Sequence, residues 1–141
     1  MTARSFAPLG LALCMLLGAC GGTDDPARET GTVPEATGPV SAEAGSEAVL
    51  ALCAMAGERD LTTAADTFHD RAHDTLHLIA AAAQEVHRRA AADLLAAKAV
   101  VESDLEAESL PAGFGADVSE LVSATDAVLE AIGLPAPACP A

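Results

Sequence analysis

The sequence contains no tryptophan and no tyrosine, and only three of its 141 residues are phenylalanine. Phe6 lies in the first twenty residues, which leaves Phe68 and Phe114 as the rings of the remainder. Two phenyl rings do not build an aromatic groove, a cation cage or a base-stacking platform. Positive charge is scarce too. Seven Lys and Arg stand against 21 Asp and Glu, for a formal net charge of −14. Nucleic-acid affinity rests on basic residues neutralising phosphates, so nucleic acid is excluded as a partner. Anionic headgroups are repelled for the same reason, whereas cationic partners and metal ions are not. There is no H-E-x-x-H, no C-x-x-C, no glycine-rich phosphate loop and no G-x-S-x-G. On those absences the chain reads as non-enzymatic.

Long apolar runs are also missing. The one apolar run, from Phe6 to Leu17, is too short to span a bilayer as a permanent helix. Arg4 is the single charge ahead of it, as in the n-region of a secretory signal. The run ends in Leu17, Gly18, Ala19 and Cys20. This tetrad resembles the lipobox of bacterial lipoproteins. The resemblance implies cleavage after Ala19, acylation of the Cys20 thiol by palmitate-type chains, and residence on the extracytoplasmic side of the cell membrane. Two or three acyl chains hold durably, because each buried methylene adds about 0.8 kcal/mol.

The four cysteines then divide. Cys14 leaves with the signal peptide and Cys20 takes lipid. Cys53 and Cys139 remain as a pair in a compartment that permits oxidation. They are expected to form a disulfide tying the C-terminal tail to the first helix; two free thiols are the alternative.

Residues 1–19 are thus expected to be the signal peptide, 20–45 a lipidated N-terminus with a flexible tether, and 46–141 a helical domain. The tether is dominated by Gly, Pro, Thr, Ser, Glu and Asp, which bury too little surface to offset ordering entropy. Abundant alanine favours helix in the domain. A first helix is expected over 46–56, with Val49, Leu52, Cys53 and Ala56 on one face and Gly57 as its stop. Residues 61–105 contain neither glycine nor proline. Leu61, Phe68, Leu76, Ile79, Val86, Leu94, Val101 and Leu105 lie on one amphipathic stripe, which predicts a single helix about 65 Å long, with a break near residues 80–83 as the alternative although no residue there demands one. Asp60 or Thr62 is the expected cap. A loop follows over 109–115, then a third helix over 118–132. Asp117 and Glu120 resemble its capping box, and Gly133 its stop. The expected fold is all-α: a small antiparallel bundle with one long central helix and two shorter ones. Two short helices leave part of the long stripe bare, which would invite a homodimer.

One constellation carries chemistry. Residues 66–77 hold three consecutive D-x-x-H tetrads, ending at His69, His73 and His77. His87 is the fourth histidine of the chain. On a helix, Asp66, His69, Asp70, His73 and His77 run along the border between core and solvent. Histidines at i, i+4 share one face and hold a divalent transition metal such as Zn, Cu or Ni when further ligands join them. Those would come from His87, from Glu120 or Asp126, or from a second protomer. The same strip also reads as a plain solvated face, or as a pH-responsive one. Two functions follow: a lipid-anchored, non-catalytic module that binds a protein partner, or a metal-binding or metal-sensing lipoprotein of the envelope.

Overall fold

The computed structural model describes residues 40–140. The expected signal peptide, the Cys20 anchor and the tether up to residue 39 lie outside the described residues. Five helices make up the rest: α1 (Ala42–Met55), α2 (Leu61–Arg71), α3 (His73–Ala83), α4 (Arg88–Leu105) and α5 (Phe114–Ala131). No strand occurs among the described residues, so the all-α bundle stands.

α1 starts four residues before the expected domain boundary. Ser41 is the reason: its hydroxyl accepts from the Ala44 N–H at 3.1 Å, satisfying a donor that the first turn leaves free. α1 ends at Ala56 without needing Gly57, which has no positive φ.

The single helix expected over 61–105 is instead three. The first interruption is Ala72, buried and outside the helical region at φ −127°, ψ −45°. The second is the turn over residues 84–87, where the His87 N–H donates to the Ala83 carbonyl at 2.7 Å. No glycine or proline dictates either break. The cause is burial. A straight helix would leave much of its apolar face without a partner, whereas reversal after Ala83 sets Leu76, Ile79 and Ala83 of α3 in one core with Ala91, Leu94 and Val101 of α4. The chain thereby covers most of its own stripe, while Val86, in the turn between α3 and α4, stays 64 % exposed.

α5 begins at Phe114, inside the expected loop. Asp117 is not the cap of a capping box; the N-cap is Gly113, and Asp117 lies in the first turn, where a carboxylate complements the helix dipole. Gly115 sits where α5 crosses the end of α1. A Cβ there would lie 2.6 Å from the Ala56 carbonyl oxygen. At the other end Gly133 takes φ 77°, and the Leu134 N–H reaches the Leu129 carbonyl at 2.8 Å. That is the left-handed stop expected from the sequence.

α4 packs on α5 and α3, and α1 packs on α5, α2 and α3. The core is made of small and aliphatic side chains around Phe68 and Phe114. Cys53 of α1 and Cys139 of the tail form a disulfide with Cα atoms 5.4 Å apart.

Candidate functional site

The break at Ala72 lies in the middle of the D-x-x-H repeat. His69 lies in the last turn of α2 and His73 opens α3. Three of the four histidines still stack along one edge. The His69 and His73 ring centroids are 5.5 Å apart, and those of His73 and His77 are 5.0 Å apart. Phe68 closes the edge from the core side, its ring 5.7 Å from that of His73. His87 is not among them. It begins α4 beyond the far end of α3 and is exposed. Asp66 and Asp70 make no hydrogen bond or ion pair with a histidine, and Asp70 is exposed.

Two other carboxylates meet the histidines: Asp74, the aspartate of the third tetrad, and Glu102 of α4. His73 Nδ1 stands 2.9 Å from Asp74 Oδ1, and its Nε2 stands 3.1 Å from Glu102 Oε1. The same Glu102 oxygen accepts from Lys98 Nζ at 2.6 Å. Lys98 is the single lysine of the chain, and its side chain is only 3 % exposed. Its ammonium also lies 5.7 Å from the centre of the Phe68 ring, in reach of a cation–π attraction. Asp74, His73, Glu102 and Lys98 thus form one chain of polar contacts from solvent to core across the α3–α4 seam.

Each group responds to that company. Burial pushes the Glu102 carboxyl upward, but the Lys98 hydrogen bond and the charges of Lys98, His73 and His77 outweigh it, and the net shift is downward. The Asp74 carboxyl is lowered chiefly by its hydrogen bond with His73. The His77 imidazole is also lowered: by desolvation first, then by the Lys98 and His73 charges, against the opposing pull of Glu102 and Asp74.

Among the described residues no three His, Cys, Asp or Glu side chains stand as a set able to hold a metal ion. Glu120 and Asp126, the further ligands expected from the third helix, form no bond with a histidine. Glu120 lines a separate open groove of about 420 Å³ between α4 and α5, with Asp93, Val100 and Asp117. Asp126 keeps one buried oxygen without a partner, and burial raises its pKa. Beside the histidines lie two small open recesses, one of about 160 Å³ bounded by Glu47, His69, Asp70 and Asp74, the other of about 90 Å³ bounded by His69, Glu102, Leu105 and Glu106.

Lys98 and Glu102 escaped the reading of the sequence, although a signal existed. Lys98 falls four residues after Leu94 and three before Val101, on the apolar face of α4, where a lone lysine needs a partner. Glu102 is the carboxylate one turn away.

No family model, no curated protein and no solved structure matches this chain.

Proposed function

We propose that the protein is a lipid-anchored module on the extracytoplasmic side of the cell membrane that binds a protein partner through its helical surface and catalyses no reaction. The observation that carries this reading is the tetrad Leu17, Gly18, Ala19, Cys20 behind a short apolar run and one positive charge. Two further features support it. Cys53 and Cys139 pair in a disulfide, a bond that persists in oxidising compartments outside the cytoplasm. The α4–α5 groove is open and acidic, with Val100 about half exposed in its lining, which suits a protein contact better than a small substrate.

The anchor is tested by growing cells expressing the protein on labelled palmitate. Label should appear on the wild-type chain and vanish from Cys20→Ala, which should also leave the membrane fraction. A Cys20→Ala chain that stays membrane-bound would remove the reading. The partner is tested by placing a photo-crosslinking residue at Val100 and, separately, at Leu50. A discrete crosslinked species from either position in intact cells is expected, and none from either would refute the interaction.

A further inference from the structure

The segment after α5 is held by little besides its disulfide. The Leu134 N–H donates to the Leu129 carbonyl, and the Leu134 side chain is half-buried against the core. Residues 135–140 then run as a coil that includes Pro135, Pro137 and Pro140, none of which has an N–H to donate. Ala136, Ala138 and Cys139 are exposed, so water satisfies their backbone groups. Among the described residues no backbone hydrogen bond joins this coil to the helices. The bond from Cys139 to Cys53 is what fixes its end.

The two sulfurs of that bond are unequal. Cys53 sits on α1, half-buried and packed against the core, whereas Cys139 is exposed. Exchange requires a thiolate to reach one sulfur while the other leaves. An incoming thiolate meets Cys139 from solvent, and core packing crowds its approach to Cys53. The helices do not stand in the way. α1 packs on α5, α2 and α3, and α4 on α5 and α3, through their own side chains. No helix has to open for the tail to come away.

We propose that Cys139 is a site of thiol–disulfide exchange in the folded protein, and that a dithiol acting there releases the tail while the five helices stay closed. The incoming thiolate bonds to the Cys139 sulfur. The bond between Cys53 and Cys139 breaks, and its electron pair leaves on Cys53 as a thiolate, which takes a proton from water. The second thiol of the reagent then loses its proton, attacks the mixed disulfide and displaces Cys139 as a thiol. The dithiol is oxidised by two electrons to its cyclic disulfide, and the cystine is reduced by two. A monothiol stays on Cys139 only briefly, because the short tail keeps the Cys53 thiolate at high effective concentration beside the mixed disulfide. Dithiols are therefore the class of reductant the site favours. Release leaves a free Cys53 thiol on α1, one turn after the exposed Leu50. The exchange requires neither the anchor nor a protein partner.

The test uses the full chain carrying Cys14→Ser and Cys20→Ser, with dithiothreitol as the probe at pH 8. The rate of reduction should rise in proportion to dithiothreitol and stay constant, within about twofold, at urea levels below the unfolding transition. A rate that levels off with dithiothreitol, or climbs steeply with that urea, would show that exchange waits for the fold to open and would overturn the proposal. Brief treatment with glutathione, quenched with iodoacetamide, maps the point of attack. Peptides should carry glutathione on Cys139 and the alkyl group on Cys53, and the reverse pattern would refute the assignment. In the reduced chain, backbone NMR shifts should change only over residues 133–140 and around Cys53. Loss of dispersion across the helices would show that the tail cannot leave alone.

Discussion

Lys98 occupies a position that helix periodicity reserves for an apolar side chain, and everything around it follows from that placement. Its stem packs in the core under Phe68, and its ammonium has Glu102 as its one charged partner within the ion-pair distance. The two partners are not equivalent. Lys98 is 3 % exposed, whereas Glu102 is 33 % exposed and still faces His73. Removing the carboxylate strands a buried charge, which costs about 3 kcal/mol or more. Removing the ammonium leaves a carboxylate that water and His73 both reach, and the cost falls to about 1 kcal/mol. Glu102→Leu should therefore destabilise more than Lys98→Met in urea unfolding at pH 7. The double variant should recover much of the loss, and strictly additive losses would show that the pair is uncoupled. The rest of the candidate site was half legible. The D-x-x-H spacing correctly placed His69, His73 and His77 on one edge. It missed their partners, because the carboxylates three residues before each histidine make no bond with it, and His73 meets instead its neighbour Asp74 and Glu102 of α4.

At the scale of the element, the apolar period located helices well and their ends unevenly. Where a side chain or backbone geometry terminates a helix locally, as at Asp60 and Gly133, the sequence showed it. The Asp60 carboxylate accepts from the Thr63 N–H at 2.8 Å, and Gly133 takes the left-handed conformation that glycine adopts without strain. Gly113 and Gly115 misled, because glycine signals both flexibility and close approach. Gly115 is there for the second reason. Gly115→Ala should push its Cβ against the Ala56 carbonyl and cost about 1–3 kcal/mol. A methyl group on Gly57 would meet nothing within 4 Å, and the residue has no positive φ, so Gly57→Ala should stay within about 0.5 kcal/mol of wild type. Thermal melts of the two variants side by side check both, and a Gly115→Ala protein as stable as Gly57→Ala would mean that α5 does not press on α1.

For the molecule as a whole, the disulfide closes the longest loop of the fold. Cys53 and Cys139 are 86 residues apart, so the bond spans all of α2 to α5. In the chain-entropy account a loop of that length is worth about 4–5 kcal/mol, a large share of the stability of a small domain. Reduction, or the Cys53→Ser/Cys139→Ser variant, should lower the urea midpoint correspondingly without changing the helical circular-dichroism signal of what remains folded. An unchanged midpoint would show that the tail contributes nothing to stability. The acidic balance adds to the need for such a bond, since like charges repel across a compact surface.

Helix content and the stop at Gly133 were legible in the sequence alone, and it narrowed the cap to Asp60 or Thr62 and the two late cysteines to a disulfide or free thiols, of which the structure has Asp60 and the disulfide. Each depends on residues that are neighbours along the chain, or on the simple count of thiols left to pair. The division of residues 61–105 into three helices, and the meeting of Lys98 and Glu102 with His73, were decided only in three dimensions. Burying one apolar face against another is a gain between distant segments, and no glycine or proline along that stretch announces where the chain must bend to collect it.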